Sequence, residues 1–521
     1  MAAQALHAAP LAPVEQGAGP SFLTSDAAWQ TAYDKALSIL AANVQILPHV
    51  DAPVLIEGSE YAGIWQEDGP HEGMLYRHFR PDVARNSHLT FFDLQRPDGQ
   101  LPASNKRAQT GFGQIQMVVP ISATAWELAD ATGDHELLER AYAACSRWDA
   151  WLMRYRNARG TGLVEGFCTY DTGMDHCPRW AGIPPQCPDA DAKRYPPIPT
   201  LPRLCPDLSA TVYGGRVALA AMADALGKRS EAEMWKEKAA SIQRSILERL
   251  YFAEDAAFYD LDAENHLVRV RSDIQTRICG EHVIDQKTFD AMWDRQLGNP
   301  QAYWAPFPFP SVALDDPTFV RPIPRNNWGG AAQALTAMRA GRWMEHYGRA
   351  AEYAHLMEQW CVALQRDGAF RQQLDPLTGI MTETGSPNYS PAALVLYDFT
   401  WRLAGVREEG QHLHWSVRPG SPAGHFARFF ISTTLGAATM QYGKHGATLN
   451  LAGRELGSIE GTARLITDLN GTPVSLLGVN LKTEDVRLHL RGLPHRHLKL
   501  NPNEQVTLSR SHAGKQAPDD A

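Results

Sequence analysis

Residues 169–180, TYDTGMDHCPRW, hold the densest set of groups able to move protons. Asp171 and Asp175 flank Gly173, and His176, Pro178, Arg179 and Trp180 follow closely. Such a run suits neither helix nor strand. It must be a long loop held by the surrounding fold, and loops held that way commonly carry sites. Asp175 has Met174 and Trp180 for neighbours, and partial desolvation there would raise its pKa and keep a proton ready for donation. The bland alternative is a loop acid that caps a turn or pairs with Arg179, which would lower its pKa instead.

Three other stretches carry candidate contacts. In residues 57–77, EGSEYAGIWQEDGPHEGMLYR, the side chains of Trp65, Glu67, Asp68, His71 and Glu72 alternate with Gly and Pro, a composition of substrate-contacting loops rather than of cores. His71 and Glu72 are adjacent rather than four apart on a helix, so no metal site is expected. In residues 303–311, YWAPFPFPS, prolines stiffen a backbone bearing Trp304 and two Phe, which could wall a pocket or form a hydrophobic lid. Asn326 and Asn327 can cap a helix starting at Trp328, whose ring would face a pocket mouth.

The loop at 171–180 resembles a signature of trehalases, processing α-glucosidases and mannosylglycerate hydrolases. There Glu-Ser-Gly-Trp/Met-Asp precedes a short polar run and Arg-Trp; here the frame reads Asp171-Thr172-Gly173-Met174-Asp175, then His176-Cys177-Pro178-Arg179-Trp180. Residues 91–102, 111–134 (which include Gln114), 205–227 and 326–338 resemble further segments of that group in the same order, so the likeness covers roughly residues 50–405. It implies an (α/α)6 barrel and an inverting glycoside hydrolase that needs no cofactor, with Asp175 as general acid. A small saccharide would then be bound by Trp65, Glu67, Asp68, His71, Gln114, Asp171, Arg179, Trp180, Trp304, Trp328 and Gln372, with Glu67 or Asp68 holding hydroxyls through charge-assisted hydrogen bonds.

The chain departs from this pattern at the second carboxylate. The general base of the group is a Glu opening a segment like Glu-Asn-Leu/Tyr-Asp/Asn-Pro-x-Thr-Gly, and the frame here is Gln372-Gln373-Leu374-Asp375-Pro376-Leu377-Thr378-Gly379. A carboxamide can orient a water but cannot accept its proton at neutral pH. Glu383 is the nearest Glu in sequence and becomes the first candidate base, with the acids of residues 57–77 as a second source. A substrate with its own participating group, or a carbohydrate-binding protein that has lost hydrolysis, would also explain Gln372. A sugar lyase or epimerase on the same toroid, using His71, His176 or Tyr389 as base, is the other enzymatic reading.

The elements that must position these residues are mostly helical up to about residue 405. Apolar residues recur at three and four spacing over 113–132, 135–155, 207–226, 230–250, 328–340, 344–364 and 391–404. Several helices are joined by turns of a few residues, which makes neighbours antiparallel. After about 410, short alternating segments and the hairpin pair Asn470-Gly471 predict strands. The fold expected is mainly α: a six-hairpin toroid at 26–408 with a small C-terminal antiparallel β-sandwich at 409–508, between flexible ends at 1–25 and 509–521.

Composition narrows the partners. A chain of 521 residues with 44% hydrophobic and 21% charged residues is globular. A formal charge of -9 disfavours nucleic-acid binding. The first twenty residues lack a signal-peptide pattern and no run approaches the roughly 18 to 20 apolar residues of a membrane span, so a cytoplasmic protein without membrane contact is expected. Seven cysteines are sparse and odd in number, which fits reduced thiols; Cys168, Cys177, Cys187 and Cys205 match no short zinc spacing. Whether protomers form a homo-oligomer is left open.

Overall fold

A computed structural model of the protein describes residues 19–382, 387–420 and 422–508. These fall into two compact units, one made of residues 32–347 and 359–397, the other of 19–31, 348–358 and 398–508. Twelve α-helices occur among the described residues.

The larger unit is built on helix pairs whose turns are set locally. Ile121–Thr132 ends at Gly133, whose left-handed φ of 66° closes the helix. One residue later, the Asp134 carboxylate accepts the Leu137 N–H at 2.9 Å and opens His135–Tyr155. A connection of two residues leaves the second helix no course but back along the first, and the two pack together. Leu137, Ala141, Tyr142, Cys145, Trp148 and Leu152 share the buried face, at the spacing the sequence shows. Pro206–Ala225 and Arg229–Leu250 repeat the scheme across three residues.

Two expected helices are shorter than periodicity suggested. The first begins at Ile121 rather than near residue 113, because Pro120 stands at its N-cap and Gln116 has a φ of 43°. Where a helix was expected from Trp328, the chain first forms the short strand Ala332–Gln333, paired with Gln373–Leu374, and turns helical only over Ala334–Arg339. That pairing brings the Gln372 segment beside the Asn326 loop. The helix expected from residue 344 starts instead at Ala350, after Gly348 at a φ of 71°.

The smaller unit contains two antiparallel sheets. One has seven strands, from Ser21–Thr24 at one edge to Arg496–Leu500 at the other; the second has five, including His412–Val417 and Ala463–Asp468. Alternation places Val486, Leu488 and Leu490 inside and Asp485, Arg487 and His489 outside. Residues 21–24, expected in a flexible leader, are ordered by pairing with Ala427–Thr433, with Phe22 and Thr24 buried. The Asn470-Gly471 turn does link Ala463–Asp468 to Pro473–Leu477, but only Gly471 has a positive φ, so it is not the type I′ turn expected. No helix among the described residues is long and apolar enough to cross a membrane.

Candidate active site

The loop after His135–Tyr155 is anchored by two buried guanidinium groups. Arg156 donates to both oxygens of Asp171, at 2.5 and 3.1 Å, and the same carboxylate accepts the backbone N–H groups of Ile115 and Phe167. Arg179 grips two carboxylates at once, donating to Asp207 at 2.8 and 3.0 Å and to Asp260 at 2.7 and 2.9 Å. Trp180 closes the loop with an indole N–H bond to Thr172 Oγ1 at 2.9 Å. Asp171, Arg179 and Trp180, expected to contact substrate, are therefore buried supports beneath the loop. Because Arg179 is fully engaged elsewhere, the pairing with Asp175 that would lower that acid's pKa does not form.

Asp175 itself reaches a cavity of about 290 Å³ in the larger unit, as do Trp65, Glu67, Gln114, Trp328 and Gln372. Gly173 permits the approach in two ways. Its φ is 61°, and an added Cβ would stand 2.0 Å from Glu67 Oε2. The Asp175 carbonyl accepts the Trp328 N–H at 2.9 Å, which joins the loop to the opposite segment. Burial, reinforced by the neighbouring Glu67 carboxylate, pushes the Asp175 carboxyl up to about 7, against a hydrogen bond from Asn326 that favours the ion.

Two hydrogen-bond chains converge on the cavity's acids. In the first, Tyr61 O–H donates to Gln372 Oε1 (3.3 Å), Gln372 Nε2 to Asn326 Oδ1 (3.1 Å), and Asn326 Nδ2 to Asp175 Oδ2 (2.6 Å). In the second, Gln186 donates to Gln114 (3.0 Å), Gln114 to Gln116 (2.9 Å), and Gln116 to Glu67 Oε1 (3.0 Å). Arg339 stands 3.7 Å from Glu67 Oε2. Glu57 also lines the cavity and accepts a hydrogen bond from Tyr389 O–H. Burial, then the nearby Asp68 and Glu72, raise the Glu57 carboxyl well above the usual range.

The remaining expected contacts lie elsewhere. Asp68 and His71 are buried, His71 within the wholly buried helix Gly69–Tyr76, and neither lines the cavity. Trp304 packs its ring against Trp293 and Phe309 instead of the cavity. His176 is exposed at a φ of 57°, and Tyr389 is buried against Glu57. Glu383 lies outside the described residues. Sequence reasoning counted Glu57 only among the acids of residues 57–77, and it missed Tyr61, Gln116 and Lys106 as cavity groups. Glu57 and Tyr61 stand at the head of the polar-aromatic stretch 57–77, and their types were the available signal. Asn326 and Asn327 were read as helix caps, but no helix starts at Trp328; Asn327 accepts Gly329 N–H at 2.8 Å within the turn, and Asn326 turns to Asp175.

All seven cysteines are buried thiols. Two clusters bring thiols and carboxylates together, Cys168, Asp171 and Cys187 in one and Cys205, Asp207 and Asp260 in the other. In each, the carboxylates are already bonded to Arg156 or Arg179, so a cation would meet a guanidinium rather than open ligands.

Two outcomes follow from this packing. Arg179→Leu removes the guanidinium bonded to the buried Asp260 and leaves Asp207 only Arg277, at 3.6 Å, and should lower the unfolding free energy by about 3 to 5 kcal/mol, measured by urea denaturation; a loss below about 1 kcal/mol would show that Arg179 is not what holds the loop. Gly173→Ala should displace Glu67 and lower turnover at least about tenfold with a far smaller change in melting temperature, since a non-glycine residue at this φ costs only about 1 to 2 kcal/mol.

A family model described as the mannosylglycerate hydrolase MGH1-like glycoside hydrolase domain matches residues 61–391. Among solved structures, the chain is similar to a GH63 mannosylglycerate hydrolase from Thermus thermophilus in complex with Tris, at a TM-score of 0.58 and 19% identity, over 70% of this chain and 100% of that one. It is also similar to the neutral trehalase Nth1 from Saccharomyces cerevisiae, at a TM-score of 0.54 and 13% identity, over 71% and 80%. An α-L-rhamnosidase from Dictyoglumus thermophilum aligns at a TM-score of 0.52 and 14% identity, over 86% of this chain and 45% of its own. No curated protein sequence matches the chain significantly.

Proposed function

The chain belongs to the mannosylglycerate hydrolase MGH1-like glycoside hydrolase domain family, and from that premise we propose that this glycosidase cleaves a small α-linked glycoside with inversion, Asp175 serving as general acid. The observation that carries the reading is the state of Asp175: a cavity-facing carboxyl with a pKa near 7 still holds its proton over much of the neutral range. The helix pairs of the larger unit are read as the (α/α)6 toroid of trehalase-like enzymes.

The cavity volume lies at the low end of the roughly 300 to 1,000 Å³ range of ligand pockets, which suits one sugar ring with a small departing group. Similar mannosylglycerate hydrolase structures hold Tris, D-glycerate or glucose, molecules of the same modest size. Trp65, Tyr61 and Trp328 offer ring faces to the apolar side of a sugar, and Glu67, fixed by Gln116, is placed to accept its hydroxyls. Asp175 then protonates the departing glycosidic oxygen, so that an alcohol rather than an alkoxide leaves.

Incubation with mannosylglycerate, trehalose and a panel of α-linked disaccharides, followed by NMR of the first-formed anomer, tests the reading. A β-configured initial product is expected, and retention or no cleavage of any member would overturn it. Asp175→Asn should remove cleavage with folding intact.

The pH profile supplies an independent check. Because Asp175 must be protonated, kcat/KM should fall above about pH 7, tenfold per unit. Asn326→Ala removes a donor to the ionised form and should move that alkaline limb to higher pH. A limb that stays in place would assign it to another group.

A further inference from the structure

Resting on the hydrolytic reading of the same cavity, we infer that Glu57 is the carboxylate that takes the proton from the attacking water, filling the role for which Gln372 lacks the chemistry.

The described acids lining the cavity are Glu57, Glu60, Glu67 and Asp175. Asp175 is the donor. Glu60 is exposed and ion-paired with Arg325. Glu67 packs where a Cβ on Gly173 would lie, two residues before Asp175 in the same turn, so it belongs to the donor's own wall. In an inverting reaction the water arrives on the sugar face opposite the departing oxygen, and the acceptor must stand with it. That leaves Glu57.

Glu57 is built into the surroundings of Gln372. Its carbonyl accepts the Ser390 N–H at 2.8 Å, and the neighbouring Tyr389 N–H bonds the carbonyl of Phe370, two residues before Gln372, at 3.0 Å. Tyr61 meets the Tyr389 ring edge-on at 6.1 Å and donates its hydroxyl to Gln372. Glu57, Tyr61 and Gln372 thus form one wall, with a carboxylate, a hydroxyl and an amide facing the same hollow. A water on that wall can be oriented by the amide and deprotonated by the acid. The acids acting on Glu57 from adjacent elements are Asp68, Glu72 and Glu67. Asp68 and Glu72 do not reach the cavity; Glu57 does, and the Tyr389 hydroxyl favours its ionised form. To accept a proton Glu57 must be ionised, a state that burial and the neighbouring Asp68, Glu72 and Glu67 oppose and the Tyr389 hydroxyl favours.

The step balances without a further reactant. The water oxygen bonds the anomeric carbon as the bond to the glycosidic oxygen breaks. The Asp175 proton goes to the departing oxygen and a water proton goes to Glu57. Exchange with solvent then returns a proton to Asp175 and removes one from Glu57.

Hydrolysis of α-D-mannosyl and α-D-glucosyl fluoride separates the two acids, because fluoride leaves without a proton donor but the water still needs an acceptor. Asp175→Asn should lose saccharide cleavage and keep fluoride hydrolysis within about tenfold of wild type. Glu57→Gln should lose both, by about 10³-fold in kcat, with KM within a few-fold and product sugar still bound by calorimetry. Near-normal fluoride hydrolysis by Glu57→Gln would overturn the assignment, as would a loss of fluoride hydrolysis that follows Glu383→Gln instead. Should Glu57→Gln not fold, Tyr389→Phe carries the test: removing the hydroxyl should shift the acid limb of kcat/KM to higher pH and leave the alkaline limb alone, and an unmoved acid limb counts against Glu57. Wild-type protein inert on fluorides and saccharides would overturn the hydrolytic reading and this assignment together, whereas active wild type with active Glu57→Gln would overturn this assignment alone.

Discussion

The side-by-side engagement of Arg179 with Asp207 and Asp260 is the constraint on which the rest of the site depends. A carboxyl can be kept protonated near neutrality only if the backbone under it cannot move it into water. Residues 169–180 have only two single-turn 3-10 helices, Thr169–Asp171 and Pro178–Trp180, to supply that rigidity. Four hydrogen bonds from one planar guanidinium supply it instead, joining the loop to the start of Pro206–Ala225 and to the short strand Asp260–Leu261. Burying three charges is costly, and an apolar cluster of the same size could be as stable. What the ion cluster adds is direction: its geometry admits one arrangement of the loop, and Arg156 with Asp171 fixes the near end in the same manner.

This rigidity allows the electrostatics of the cavity to be graded. Asp207 lies below the usual carboxylate range because the burial that would raise it is outweighed by the charge and hydrogen bonds of Arg179 together with the Arg277 charge, while Asp175, a few residues from the same arginine but without its bond, lies well above. Asp260, held by the same Arg179, still lies above the usual range, because burial and the adjacent Asp207 oppose the arginine. Glu67 adds negative charge beside Asp175 and so helps to retain its proton. The amide chain from Gln186 through Gln114 and Gln116 holds Glu67 at that station, which explains why three glutamine side chains line a sugar-sized hollow.

Features governed by near neighbours in the chain were legible in the sequence. Gly133 and Asp134 announce a helix turn because φ and capping are local, and residues 135–155 form the helix read from them. Asp175 was found because its loop has a distinctive order of residues. The rest was hidden where tertiary partners decide. Arg179 and Trp180 belong to the same motif, yet whether a motif residue touches ligand or supports one that does depends on Asp260, 81 residues away. Trp304 looked like a pocket wall on composition, but aromatic residues serve a core equally well. Glu57 was one of several acids in residues 57–77 that composition could not rank; what singles it out is a partner 332 residues later, Tyr389.

Gln372 illustrates why a single exchange in a catalytic frame is not simple decay. Its side chain accepts from Tyr61 and donates to Asn326, and that donation fixes which end of the Asn326 amide faces Asp175. An ionised Glu at 372 would set an oxygen against Asn326 Oδ1. The amide would turn, presenting its own oxygen to Asp175 Oδ2, and the hydrogen bond that favours the ionised form of Asp175 would be lost. With an Asn326 N–H donated to Asp175, the chain as it stands has residue 372 as donor and acceptor at once, which a carboxamide can be and a carboxylate cannot. The carboxamide therefore changes what residue 372 offers, orientation rather than proton acceptance, and the acid that lines the cavity beside Gln372 and Tyr61 is Glu57.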